Sequence, residues 1–471
     1  MVFSSPAFLF GFLPIFLAVY FLAPARFRNG VILVASLLFY FTDAGALAFI
    51  LCGSIVVNYL IALYFCKSTG LTRKVALAAG IAANLVPLLY YKYWMFVIQS
   101  VNDAALLLDS KAHFSVSQIL LPAGVSFFTF HAISYLVDVY NHKVEPAKSL
   151  VDFGMYMANF PQLIAGPIVR YSEIVDVVRV RKVRFDQIYS GLFTFVIGLS
   201  KKIILADSVG IVADSIFALP QSELTTGYAW LGAFAYALQI YFDFSGYSNM
   251  AIGLGRMMGF EFPQNFDQPY RSQNVTEFWR RWHMTLSRWF RDYLYIPLGG
   301  NRAGRFRTLV NLFIVFFLCG LWHGASYGFI IWGIYHGTLL IIERELLSRF
   351  CFAMSGWMGQ AFTFLLVMIG WVFFRASSLS VAVDYLAVMA NIGTQLGTVQ
   401  SIPILLGADK VTFLIVATIC AIFPTERLHR FMSGSGNALV VIQGAIVTAL
   451  MAFCCMLIAA NGFNPFIYFR F

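Results

Sequence analysis

Apolar runs recur along the whole chain, at 7–24, 47–65, 228–242, 309–322, 326–342, 411–423 and 438–460. A helix that crosses the hydrocarbon layer of a membrane takes roughly 20 such residues. Other runs, such as 31–42, are short or interrupted. Backbone that is not helical is tolerated at membrane depth only where protein or water satisfies it, so these predict helices that tilt, re-enter or end inside protein. The pattern therefore predicts an all-α polytopic membrane protein with about eleven or twelve crossings, accompanied by re-entrant and interfacial helices. No soluble domain or low-complexity linker interrupts it, so residues 1–471 read as one integral membrane domain. The first run is expected to remain as a span, because residues 1–6 hold no Lys or Arg and the run is too long for a signal-peptide core.

Composition strengthens this picture. Of the residues, 60% are hydrophobic and 11% charged, where a soluble domain carries about 25% charge. The net charge of +10 does not point to nucleic acid, because the charges sit in loops beside apolar runs. Arg26 and Arg28, then Lys67, Arg73 and Lys74, then Lys143 and Lys148 fall in alternate loops, while Asp43 and the stretch 101–118 occupy the loops between. By the positive-inside rule this places 67–74, 143–148, 170–184 and 271–307 inside and the N-terminus outside, with the side of the C-terminus left open. Residues 377–410 read as an outer loop. The seven cysteines, Cys52, Cys66, Cys319, Cys351, Cys420, Cys454 and Cys455, lie mostly in apolar runs without metal-ligand spacing, so they read as small core residues and no metal is implied.

The stretch FWRRWHMTLSRWFRDY, 278–293, is the most informative. At about 100° per residue, Trp279, Trp282, His283, Leu286, Trp289, Phe290 and Tyr293 share one arc and Arg280, Arg281, Arg288 and Arg291 the opposite side. This predicts an interfacial helix whose arginines either anchor it at the membrane surface or hold an anionic ligand. His283, at the edge of the apolar arc, is either a hydrogen-bonded core residue or a substrate-facing one. In GLWHGASYG, 320–328, His323 lies between long apolar runs, and an ionisable group at that depth is a functional candidate. Gly320, Gly324 and Gly328, if helical, form a small-residue packing face. His336 competes with His323 but points elsewhere if one helix runs through both. Asp243, in QIYFDFSGYS, is a further buried ionisable group, either locked by Ser245, Ser248 and backbone N–H groups or lining a polar passage.

Taken together, WRRWHMTLSRWFRDYLYIPLGGNR at 279–302 and GLWHG at 320–324 resemble the membrane-bound O-acyltransferase family. FPQLIAGPIVRY at 160–171, YFDFSGYSNMAIGLGRMMGF at 241–260, and the ends MVFSSPAFLF and NPFIYFRF resemble its bacterial branch that acetylates exported polysaccharides. The likeness is densest over about 120–345, and the ordered set is far more specific than any one motif.

The resemblance implies a helical ring around a tunnel, with His323 and His283 as the catalytic or near-catalytic pair; Asp243, Ser245, His336 and Trp322, from the reading of the residues themselves, are candidates for its wall. It implies acetyl transfer from acetyl-CoA, a substrate and not a bound cofactor, to a hydroxyl acceptor beyond the bacterial inner membrane. The acceptor is a glycan or a periplasmic or extracellular partner transferase; membrane lipid is the remaining partner. Arg280, Arg281, Arg288 and Arg291 are the candidates for the donor phosphates. Two other readings stay open: transfer of a D-alanyl group from a carrier protein, and transport of acyl groups or polymer without chemistry. The absence of an internal repeat disfavours transporters built from repeats.

Overall fold

The computed structural model describes residues 2–108, 114–115, 117–302, 304–347, 356–392, 407–423, 437–462 and 464–467. Every regular element among them is a helix. The chain packs as two compact units, residues 1–190 with 254–263 and residues 191–253 with 264–471. Cys351, residues 393–406 of the expected outer loop and the final residues 468–471 lie outside the described residues.

The first unit holds α1 (Leu13–Leu22), α2 (Arg28–Ala44), α3 (Ala48–Phe65), α4 (Gly70–Leu88), α5 (Trp94–Leu107), α6 (Val125–Tyr140), α7 (Leu150–Ala158), α8 (Phe160–Leu163) and α9 (Tyr171–Arg179). The stretches 25–65 and 70–107 are long and apolar enough to cross a membrane, and shorter apolar helices lie at 7–22 and 125–140. Between apolar helices in lipid, polar side chains supply part of the pairing. Asn58 of α3 and Asn84 of α4 exchange amide hydrogen bonds of 2.9 and 2.7 Å. Large apolar residues such as Leu22, Leu38 and Leu60 stay exposed, as a lipid-facing surface requires and a soluble one rarely allows.

The second unit takes in most of α10 (Phe185–Ser200), then α11 (Asp207–Phe217), α12 (Thr226–Met257) up to Gly253, α13 (Val275–Arg281), α14 (Met284–Phe290), α15 (Arg305–His323) and α16 (Tyr327–Ile342). It continues with α17 (Gly356–Arg375), α18 (Leu379–Met389), α19 (Ala408–Ile422) and α20 (Asn437–Asn461). Residues 305–323, 356–375 and 439–460 are of crossing length.

The α15–α16 hairpin frames the site. Gly324 is extended, with φ −166°, and the Ser326 side chain accepts the Phe329 N–H at 3.5 Å, so one helix stops and the next is capped at its N-terminus. The expected glycine face is therefore not one face. Gly320 instead meets Gly333 across the hairpin. A Cβ on Gly320 would stand 2.4 Å from the Phe329 carbonyl oxygen, and one on Gly333 2.4 Å from that of Phe316. The close approach is possible only because both residues lack a side chain.

Candidate active site

The expected single helix over 278–293 is broken in the middle. Trp282 is extended (φ −98°, ψ 128°) and His283 is left-handed (φ 44°, ψ 53°). A left-handed residue other than glycine costs roughly 1–2 kcal/mol. Bonds from a distant segment offset that cost: Asp267 N–H donates to Arg281 O at 2.9 Å and Met284 N–H to Asn265 O at 2.9 Å. The N-terminus of α13 is also fixed from elsewhere. Its Val275 and Thr276 N–H groups donate to the Glu343 carboxylate at 2.6 and 3.1 Å, an anion at the positive end of a helix. Six of the seven residues of the expected apolar arc, Trp279, Trp282, His283, Leu286, Trp289 and Phe290, are buried all the same, and Tyr293 is half-buried.

Three histidines converge through aromatic rings. His283 packs edge-on against Phe244 at 4.7 Å and lies 6.1 Å from the Trp322 ring. Its Nδ1 is 3.0 Å from Asn265 Oδ1, and its Nε2 is buried without a partner among the described residues. Burial pushes its pKa down to about 3, because a desolvated imidazolium has no compensating charge there. His323, the last residue of α15, is buried against Trp322, Trp332 and Phe374 at 4.9, 5.0 and 5.2 Å. His336 packs on Trp332 and Trp279, each at 5.1 Å. One helix does not run through His323 and His336, because α15 stops at Gly324, so the condition under which His336 would point elsewhere is not met. The two histidines flank Trp332, which the sequence reading did not single out.

Asp243 has the expected backbone N–H partner but not the expected hydroxyls. Its carboxylate meets Lys202 Nζ at 2.7 Å and accepts the Ile467 N–H at 2.9 Å. The hydroxyls of Ser245 and Ser248 are buried and have no partner among the described residues, so they do not satisfy it. Lys202 also meets Asp207 at 2.7 Å. An isolated lysine pair, Lys201 and Lys202, in the apolar stretch 193–206 was the available signal, since a lysine at that depth requires an acidic partner.

Two cavities adjoin the histidine cluster. The larger, about 790 Å³, is lined by Arg280, Arg291, Glu343 and Arg344 and, along α15, by Phe316 and Cys319, with Trp279 in its wall. Trp279 packs on Trp332 at 5.6 Å. The smaller, about 270 Å³, is lined by Asp214, Gln239, Ser326, Phe329, Phe374 and Arg375, among others. Phe374 is the ring that packs on His323. Asp243, Ser245, Trp322 and His336 line neither cavity; all four are buried, Asp243 in its ion pair with Lys202. Of the four arginines, Arg280 and Arg291 line the larger cavity and Arg281 and Arg288 do not. Arg281 is engaged by Glu277 at 2.9 Å and Asp267 at 3.3 Å.

Residues 147–382 match the membrane-bound O-acyltransferase family, MBOAT. The chain is 42% identical to the probable alginate O-acetylase AlgI of Pseudomonas putida over the full length of both. It is 47% identical to the probable alginate O-acetylase AlgI of Pseudomonas aeruginosa over 84% of this chain and 76% of that one. It is 37% identical to the peptidoglycan O-acetyltransferase of Helicobacter pylori over 83% of this chain and 80% of that one. Apolar helices of crossing length, a buried histidine cluster between cavities and full-length similarity to O-acetyltransferases lead to one conclusion: this chain belongs to the membrane-bound O-acyltransferase family and is a multi-pass membrane acyltransferase.

Proposed function

We propose that this chain O-acetylates an exported polysaccharide, taking the acetyl group from cytoplasmic acetyl-CoA and delivering it across the bacterial inner membrane. The receiving hydroxyl belongs to the glycan or to a partner transferase outside. The observation that carries this reading is the buried histidine cluster separated by one aromatic ring from each of two cavities, by Trp279 from the larger and by Phe374 from the smaller. The names of the similar proteins, alginate O-acetylase and peptidoglycan O-acetyltransferase, supply the acyl group and the class of acceptor.

The larger cavity suits the donor. Arg280, Arg291 and Arg344 line it together with Cys319, which stands one helical turn before His323. Guanidinium groups match phosphate oxygens in pairs, and an apolar passage suits the uncharged pantetheine arm. The charge pattern puts 271–307 inside and the N-terminus outside. On that topology the α15 helix, whose 19 residues rise about 28 Å, runs from the inner face toward the outer one, with His323 at its outer end and Phe374 between it and the smaller cavity. There the acceptor hydroxyl approaches past the Arg375–Asp214 ion pair of 2.7 Å.

In this scheme His323 takes the proton of the acceptor hydroxyl as its oxygen attacks the thioester carbonyl. The new C–O bond forms, the C–S bond breaks, and the CoA thiolate leaves and takes up the proton. General-base assistance of this kind contributes about 10²–10⁴-fold. His283 serves the donor side, and no acyl-histidine is required. Purified protein in liposomes, given acetyl-CoA and acceptor, should release CoA thiol in an acceptor-dependent way. Thiol release that fails with acetyl-CoA, while a charged carrier protein supports acyl transfer, would replace this reading with D-alanyl transfer.

A further inference from the structure

We infer that Asn265 is a positioning residue: its carboxamide holds His283 as the Nδ1–H tautomer and leaves the Nε2 lone pair as an open proton acceptor. Three groups converge on Asn265 Oδ1. They are the Thr285 backbone N–H at 3.2 Å, the Thr285 hydroxyl at 2.8 Å and His283 Nδ1 at 3.0 Å. A backbone N–H only donates, so the amide atom facing it is the oxygen and the orientation of the carboxamide is settled by chemistry. An amide oxygen only accepts, so the proton between it and His283 sits on Nδ1. The other tautomer would set two lone pairs against each other at 3.0 Å in a buried site, where an unmade hydrogen bond is costly.

Asn265 is itself fixed. Its carbonyl accepts the Met284 N–H at 2.9 Å. The next residue, Phe266, packs on Phe244 at 4.9 Å and Trp282 at 5.0 Å. The rings around His283, those of Phe244, Phe266 and Trp322, carry no charge, so nothing there favours the doubly protonated ring. A neutral ring with its proton on Nδ1 has a bare Nε2, and that atom is buried without a partner among the described residues. His283 therefore has no N–H to offer a developing oxyanion. It accepts a proton or a hydrogen bond, from a hydroxyl or a thiol. This role in the reaction rests on the acyl-transfer reading above, whereas the tautomer does not.

The test has a spectroscopic and a kinetic arm. In protein labelled with ¹⁵N-histidine, with His283→Gln used for assignment, the His283 signals should show a protonated Nδ1 and a bare Nε2 at neutral pH. Asn265→Ala should lose that pattern, with kcat down about 10–100-fold and the KM for acetyl-CoA changed no more than about twofold. Asn265→Asp places a carboxylate against Nδ1–H and raises the His283 pKa. Its activity should fall on the acid side at a higher pH than in the wild type and return as pH rises, a shift that a purely structural role would not produce. Thr285→Val keeps the backbone N–H that orients the amide, so it should retain the tautomer and most activity even if Asn265→Ala fails to fold. A wild-type spectrum with the proton on Nε2, or a folded Asn265→Ala protein with wild-type kcat, would overturn the assignment. If acetyl-CoA proves not to be the donor, the spectrum still decides the tautomer.

Discussion

Lys202 and His336 are both deeply buried polar side chains of the second unit, and their surroundings are opposite. Lys202 meets two carboxylates, Asp207 and Asp243, each at 2.7 Å, and the Pro465 carbonyl at 3.4 Å, with the Phe466 ring 5.0 Å away. Both nitrogens of His336 are without a partner among the described residues, and rings of Trp279, Trp332 and Tyr335 surround it. The same contrast separates Asp243, which is paired, from the bare Nε2 of His283. A buried charge has to be matched or given up, and stripping one partner from a pair is strongly destabilising, whereas a neutral imidazole can be left with an open nitrogen at moderate cost. Pairing in this unit therefore falls on the charged groups, and the open atoms are on the neutral rings of His283 and His336.

Substitutions test that division, beginning with the largest effect. Lys202→Met strands Asp207 and Asp243 and should destabilise the protein by about 3–5 kcal/mol. Thermal unfolding in detergent measures this, and Lys202→Met combined with Asp243→Leu should recover part of the loss; an unchanged Tm in the single variant would mean that the cluster is not structural. His323→Gln should fold and insert normally but lose about 10²-fold or more in acceptor-dependent acetylation, at least ~2.7 kcal/mol of transition-state stabilisation. Near-wild-type turnover by that variant would remove His323 from the role of base. If instead His283→Gln is inactive and His323→Gln only impaired, the base is His283.

Smaller effects sharpen the picture. Gly320→Ala adds a methyl whose carbon would stand 2.4 Å from the Phe329 carbonyl oxygen, so α15 and α16 must part. Overpacking of this kind costs about 1–3 kcal/mol, and turnover should fall because His323 lies three residues on; an unaltered kcat would mean that the hairpin crossing does not position the histidine. Finally, Arg280 is exposed, lines the larger cavity and has no carboxylate partner among the described residues, while Arg281 is paired twice. Arg280→Gln should raise the KM for acetyl-CoA about tenfold, more steeply at high salt, with Arg281→Gln near wild type. A wild-type KM in both variants would show that the arginines do not hold the donor and act as membrane anchors.

Much of this protein was legible in the sequence. Apolar runs announce helices because a chain in lipid has to satisfy its backbone within each segment, so the membrane architecture is a local property. His283 and His323 were visible as ionisable groups in apolar surroundings, and the motifs around them carried the family. What periodicity misread was the break at Trp282 and His283, because an unbroken 3.6-residue pattern is locally favourable there. Only the 265–267 segment, which reaches the Arg281 carbonyl and the Met284 N–H, stabilises the left-handed turn. The partner of Asp243 was likewise undecided, since Lys202 lies 41 residues away in sequence and 2.7 Å away in space. The ends of α15 and α16, which put His323 and His336 on two sides of Trp332, follow from an extended Gly324 and the Ser326 cap. Composition and pattern determined which groups are buried. The tertiary structure alone decided which of them are paired and which keep an open atom, because pairing joins residues whose separation along the chain carries no periodic signal.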